Sequence, residues 1–270
     1  MKFDYPILDL QSSLRKPAGL CALAIMAKAP RAGAVKTRLI PPLTPDEAAA
    51  LNRCFLQDTA MNIADLCASA ACEGVVAYTP VGAEFLFKGL LPDSFNLLPQ
   101  RGDAFGDRLF YAAKDLLAFG YESVCLIDSD SPTLPPAILA AAVAALTRRR
   151  DGVVLGPADD GGYYLIGLNH ADQHLFTSVE WSTERVLSQT IQRAAELHVP
   201  FELLPTWYDI DNATSLVRLC NELVFTPHQA GGEGLKPYSA QRTRDFLSKL
   251  VQKRGREQLF SVVSTASTFE

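Results

Sequence analysis

The chain has 270 residues, 48% of them hydrophobic and 20% charged. That is the make-up of a globular protein with room for one large domain and a small appendage. Its 25 basic and 30 acidic residues give a formal charge of −5, which argues against a polyanion-coating nucleic-acid binder with its strongly basic face. The longest apolar runs, 20–27 and 137–146, fall well short of the roughly 20 residues that a membrane span needs. The opening stretch MKFDYPILDLQSSLRKPAGL mixes Asp, Pro and basic residues into its apolar positions, unlike the continuous core of a signal peptide. Six cysteines form no CxxC pair, and the chain is long enough to need no disulfide staple. Reduced, mostly buried thiols in a cytoplasmic protein are the expectation.

In chain order, LCALAIMA at 20–27 reads as a strand covered on both faces. KAPRAGAVKTRLIPPL follows, too rich in Pro for a regular element. Thr44, Pro45 and Glu47 then spell a capping box that opens a helix to about residue 70. GVVAY at 74–78 is a second strand, and 80–100 is irregular with at most one helical turn. A helix over 104–119 ends at Gly120, and SVCLI at 123–127 is a strand. Pro135 and Pro136 open an Ala-rich helix with a basic end that suits the dipole. GVVLG at 152–156 and YYLIGL at 163–168 are strands, 183–198 a helix, FELL at 201–204 a strand and 213–223 a helix. Strands alternating with helices imply an α/β fold with a mostly parallel sheet covered on both faces. Residues 1–19 form an N-terminal extension, 20–225 the main domain, and 226–270 a linker with a charged helix over 242–258 and a Ser/Thr-rich tail.

Ligands of open α/β sheets gather beyond the carboxyl ends of the strands, and three of those ends carry unusual residues. After the first strand, Lys28, Arg31, Lys36 and Arg38 cluster around Gly33. Point charges, a guanidinium and exposed backbone N–H groups are what an oligophosphate wants. The loop fails the Walker pattern, and the chain has no G-x-G-x-x-G, so neither an ATPase nor a nicotinamide enzyme is indicated. A solvated basic loop is the plain alternative.

After the 123–127 strand comes Asp128-Ser129-Asp130. Extended residues i and i+2 lie roughly 6.6 Å apart on one face, so two carboxylates reach one cation at about 2.1 Å only if the chain turns. Ser131-Pro132 supplies such a turn. The plain alternative is an Asx turn. Asp159-Asp160-Gly161-Gly162-Tyr163 puts acids and two small residues at the next end, where backbone can pass close to a sugar-sized ligand. Asp209 and Asp211 repeat the acidic spacing and would close the metal site from the far side, although Asp211 also suits the cap of the following helix.

Six segments in this order, KAPRAGAVKTRL, QRGDAFGDRL, DSDSPTLP, GPADDGGYYLIG, WSTERVL and WYDIDNATSLVRL, resemble one family. It comprises the bacterial glycosyltransferase-like DUF2064 proteins, with the GT-A nucleotide-diphospho-sugar transferase fold, related to 2-phospholactate and molybdenum-cofactor guanylyltransferases. The resemblance spans about residues 20–222. It implies a three-layer α/β/α sandwich with a C-terminal helical extension. It also implies nucleotide phosphates held by Lys28, Gly33, Lys36 and Arg38, with Gln100, Gly102, Asp103 and Gly106 near the base. Asp130 would bind a divalent cation, Mg²⁺ or Mn²⁺, with Asp211 as second ligand. The family commonly has Gly where this chain has Asp128, so Asp128 is either a further metal ligand or a partner of the nucleotide. Asp160, Gly161, Gly162, Tyr163, Trp181 and Ser182 would face the transferred group or the acceptor.

The expected activity is metal-dependent transfer from a nucleotide-diphosphate sugar. Lys36, Arg38 and the cation would neutralise the leaving diphosphate, and in an inverting mechanism Asp160 would activate an acceptor hydroxyl; a retaining one needs no such base. One alternative is nucleotidyl transfer from an NTP to a small phosphorylated acceptor with release of pyrophosphate. Another is a non-catalytic nucleotide-binding protein whose C-terminal helix engages a partner. Expected partners are a nucleotide or nucleotide sugar and a small acceptor, with no nucleic acid and no membrane span. The C-terminal helix is open to pairing with a second copy.

Overall fold

A computed structural model describes residues 5–9, 16–149, 151–226, 234–257 and 259–260. Its centre is β1, Cys21–Lys28, buried along almost its whole length as the unbroken apolar run requires. β1 pairs in parallel with β2, Cys72–Thr79, on one side and β4, Ser123–Ile127, on the other; Ile25 faces Val76 and Ile127 across the two ladders. With β3 (Asn96–Pro99), β5 (Val153–Pro157), β6 (Tyr163–Leu168) and β7 (Phe201–Leu203) the sheet has seven strands in the order β3-β2-β1-β4-β6-β5-β7. Only β6 runs against the rest, antiparallel to both β4 and β5.

The capping box forms as its sequence dictates. Glu47 N donates to Thr44 Oγ1 at 3.2 Å and Thr44 N donates to Glu47 Oε2 at 2.9 Å, opening α1, Pro45–Cys67. α1 and α3, Pro136–Arg148, cover one face of the sheet through Leu56, Ile63, Ile138 and Leu139. On the other face lie α2, Phe105–Phe119, and α4, Val186–Glu196, through Leu109, Leu116 and Ala194. This is the three-layer sandwich. α5, Ala213–Cys220, ends in a π-helical turn over Asn221–Phe225.

Two expectations need correction. The irregular stretch 80–100 contains β3, a four-residue strand ending in Pro99 that is too short to show alternation in the sequence. The helix expected from residue 183 starts at Val186, because 183–185 form a turn.

The flanking segments join the body. Residues 6–8 cover the outer edge of β3: Leu97 N donates to Pro6 O and Leu8 N to Leu97 O, both at 2.8 Å. An edge strand so covered offers no free ladder to another chain. α6, Gln241–Arg254, lies against α1, and Leu247 and Leu250 share a core with Leu39, Leu43, Leu51, Phe55 and Ile210. Its apolar face is thus used within the chain rather than left for a second copy. The Ser/Thr-rich tail beyond 260 and most of the linker lie outside the described residues.

Ala240, at the start of α6, makes no side-chain cap. Asp58 of α1 serves instead, accepting from Arg242 N at 3.1 Å and Thr243 N at 2.8 Å. Burial raises the Asp58 pKa against the pull of those donors. Asp58→Ala leaves both N–H groups without their acceptor and is expected to cost about 1–2 kcal/mol, the worth of a lost cap, in denaturant unfolding.

Candidate active site

The loop after β1, the ends of β4 and β5, and the segment after β7 meet at one edge of the sheet. That last segment is tied in by backbone: Trp207 N donates to Pro157 O at 3.0 Å, Asp159 N to Trp207 O at 3.1 Å and Ile210 N to Asp130 O at 3.1 Å. Asn212 caps α5 by accepting from Ser215 N at 3.0 Å. Asp211 is therefore released from the capping role and its side chain turns toward the β1 loop.

Lys36 stands at the meeting point. Its backbone is left-handed, with φ 50°, a conformation that a non-glycine residue adopts only where its surroundings enforce it. Its Nζ donates to Ile210 O at 2.6 Å and reaches Asp130 Oδ2 at 2.8 Å and Asp211 Oδ1 at 3.1 Å. All three donors of the ammonium are used. The side chain is only 5% exposed. Burial works against its charge, but Asp130 and Asp211 outweigh it and hold its pKa above the ordinary value. Arg38 lies 3.6 Å from Asp211 with most of its side chain in solvent.

The Asp128–Asp130 pair divides. Asp128 closes a turn: its carboxylate accepts from Asp130 N at 3.3 Å and from Ser131 Oγ at 2.9 Å. This is the Asx-turn alternative, and the half-buried side chain still borders both cavities. Burial first, then the charges of Asp130 and Asp209, push its pKa well up. Asp130 points out to Lys36.

Two adjoining cavities open here. The first, about 420 Å³, is lined by Lys28, Lys36, Arg38, Gln100, Arg108 and Asp130 among others. Gln100 Nε2 donates to Ala77 O at 2.7 Å, which leaves its Oε1 to accept from a ligand. The second, about 320 Å³, is lined by Asp160, Gly162, Tyr163, Trp181, Glu184 and Asp209 among others. Arg38, Asp128, Ser182 and Asp211 border both. The second has an aromatic wall: Trp181 meets Phe105 edge-on at 5.2 Å and Tyr163 at 6.4 Å between ring centroids.

Of the residues singled out in the sequence, Gly33, Gly102, Asp103, Gly106 and Gly161 line neither cavity. Two of these glycines act by letting chain segments approach. A Cβ on Gly106 would stand 2.8 Å from Trp181 Nε1, so its absence seats Trp181 on α2. Gly161 has φ +89°, and a Cβ there would stand 2.2 Å from the Glu184 carbonyl oxygen. Asp160 Oδ1 accepts from Gly162 N at 2.8 Å, which closes the same turn.

Sequence reasoning assigned no role to Arg108 or Asn52. Arg108 sits inside the quoted GDRL segment, on the first turn of α2 one turn after Phe105, and its helical spacing is the signal that was available. Asn52 faces the first cavity from α1; nothing in the sequence marks it. Asp209 is raised to about 7 by burial and by the charges of Asp211 and Asp160.

Among the described residues, no group of three or more His, Cys, Asp or Glu side chains is arranged to hold a metal ion. What exists is a pair, Asp130 and Asp211, converging on Lys36 Nζ. Such a pair suits Mg²⁺, which takes one or two carboxylates and completes its shell with substrate phosphates and water.

Residues 62–183 match the family described as "Uncharacterized protein conserved in bacteria (DUF2064)". No curated protein matches the sequence. Among solved structures, the chain is similar to a candidate nucleotide-diphospho-sugar transferase from Desulfovibrio desulfuricans G20. The two are 28% identical with a TM-score of 0.70, over 87% of this chain and 98% of that one. Two other structures are more distant. A CMP:2-keto-3-deoxy-manno-octonic acid synthetase complexed with CTP is 10% identical with a TM-score of 0.49, over 74% of this chain and 96% of that one. The 4-diphosphocytidyl-2C-methyl-D-erythritol synthase of Anaerococcus prevotii DSM 20548 is 11% identical with a TM-score of 0.49, over 74% and 94%. The α/β architecture is that of the Desulfovibrio protein. Among the described residues no helix is long and apolar enough to cross a membrane.

Proposed function

We propose that this chain, whose residues 62–183 belong to the DUF2064 family, is a transferase that moves a sugar from a nucleotide-diphosphate donor to a small acceptor. The observation that carries this reading is the pair of adjoining cavities, a cationic one beside an aromatic one, with Arg38 and Asp211 on their common border. The first would take the nucleotide, with Lys28, Lys36, Arg38 and Arg108 around the diphosphate and Gln100 at the base. The second would take the acceptor against Tyr163 and Trp181.

In an inverting transfer, Asp160 accepts the proton of the acceptor hydroxyl as its oxygen bonds the anomeric carbon. The bond from that carbon to the diphosphate breaks, and the nucleoside diphosphate leaves with the electron pair. Lys36 and Arg38 meet the charge that develops on the leaving oxygen. Asp130 and Asp211 would hold a divalent cation that enters with the diphosphate and adds to that neutralisation. Its entry requires Lys36 to move from the carboxylates to the phosphates, an exchange of one cation for another.

The test is release of nucleoside diphosphate from a panel of UDP-, GDP-, CDP-, ADP- and dTDP-sugars, each with Mg²⁺, Mn²⁺ or EDTA. Consumption of one donor, lost with EDTA, is the expected result. Pyrophosphate release from a triphosphate in the presence of a phosphorylated acceptor would instead establish nucleotidyl transfer. Asp160→Asn is expected to abolish turnover while donor binding, read as a thermal shift, stays; at 100 times its dissociation constant a ligand adds about 2.7 kcal/mol. Turnover unchanged in that variant removes Asp160 from the role of base.

A further inference from the structure

The two cavities differ in charge. Lining the first are the cations Lys28, Lys36, Arg38 and Arg108 against three acids, Asp128, Asp130 and Asp211. Lining the second are Asp128, Asp160, Glu184, Asp209 and Asp211, and among the described lining residues the sole cation is Arg38. That cation is shared with the first cavity and already lies 3.6 Å from Asp211. Asp130 and Asp211 are answered by Lys36, and Asp209, raised to about 7, carries only part of a charge, so the uncompensated charge of the second cavity is chiefly that of Asp160 and Glu184. The same cavity is lined by the ring cluster of Phe105, Tyr163 and Trp181.

We propose that the second cavity selects an acceptor of the sugar or polyol class that carries no phosphate or carboxylate, and that it tolerates or favours an amine. The inference rests on the donor–acceptor reading above and names the acceptor's chemistry. Carboxylates take vicinal hydroxyls or an ammonium as donors. Aromatic faces pack against the C–H faces of a sugar ring and attract a cation. A phosphorylated acceptor would bring two negative charges beside these carboxylates, with no unshared cation to meet them, and in a partly enclosed site such repulsion is only weakly screened. The cavity that a phosphate suits is the other one.

The chain has two tryptophans, so Trp207→Phe leaves Trp181 as the only indole and a reporter in the cavity wall. The full-length variant is titrated with glucosamine, glucose and glucose 6-phosphate at equal ionic strength, three probes with one ring and different charge. Glucosamine and glucose are expected to perturb Trp181 emission, and glucose 6-phosphate to bind at least about tenfold more weakly, the factor that about 1.4 kcal/mol gives. Calorimetry on the unsubstituted protein is expected to give the same order. Glu184→Lys, a change at an exposed position, is expected to narrow the gap by strengthening glucose 6-phosphate and weakening glucosamine. Glucose 6-phosphate binding as tightly as glucosamine overturns the proposal, and so does an absence of response to all three sugars. The order is read without turnover, so failure of every nucleotide sugar to be consumed would sink the transferase reading while leaving this selectivity standing.

Discussion

Lys36→Met is expected to lower turnover by about 10²–10³-fold, the usual cost of removing one preorganised electrostatic group from the transition state. The ammonium is held in place before any ligand arrives: three acceptors surround it, its side chain is 5% exposed, and its backbone sits at φ 50°. A positive charge therefore stands at that edge of the sheet in the free protein. The variant also leaves Asp130 and Asp211 facing each other without their counter-ion. Asp211 is 40% exposed, so water screens part of the repulsion and the expected loss of stability is modest, about 1–2 kcal/mol. A second readout separates charge from packing. Without nucleotide, Mn²⁺ should raise the melting temperature of Lys36→Met more than that of the unsubstituted protein, because the carboxylate pair is then free. Lys36→Arg should not restore activity, since a planar fork does not fit a site built around a compact ammonium. Full turnover in Lys36→Met would remove this residue from the centre of the site.

Leu247→Ala is expected to lower the free energy of unfolding by about 2–5 kcal/mol, the range for a buried leucine truncated to a methyl. Leu247 is fully buried and shares its cluster with Leu39, Leu43 and Phe55. Leu39 follows Lys36 by one short turn, and the Phe55 ring lies 5.9 Å below the Lys36 ammonium. The C-terminal helix therefore backs the loop that presents the cation. The same variant should weaken donor binding beyond what its lower stability explains, because the loop gains room to relax. Chemical denaturation and donor titration measure the two effects. A variant as stable as the parent would show that α6 adds nothing to the fold.

These two residues mark where local sequence signals stop. α1 was legible because a capping box is a matter of four consecutive residues. β1 and β4 were legible because a strand covered on both faces is an unbroken apolar run. The acids at the strand ends were visible as departures from those runs, and the parallel topology places them at one edge. One further feature was there to be read. Only five residues, 158–162, separate β5 from β6; a parallel crossover needs a dozen or more, so β6 had to run back along β5.

The sequence by itself determined the α/β layering, the edge at which chemistry gathers and the residue types gathered there, since each depends on periodicity and on neighbours within a few positions. Tertiary structure decided which of those residues meet. Lys36 pairs with residues 94 and 175 positions away, Asp128 closes the turn while Asp130 pairs with Lys36, and Arg108 joins the cavity from the first turn of a helix. It also decided that α6 belongs to the core, through a cap supplied by Asp58 from another helix. Contacts of that span leave no periodic trace along the chain; they exist only once the sheet has brought distant strand ends side by side.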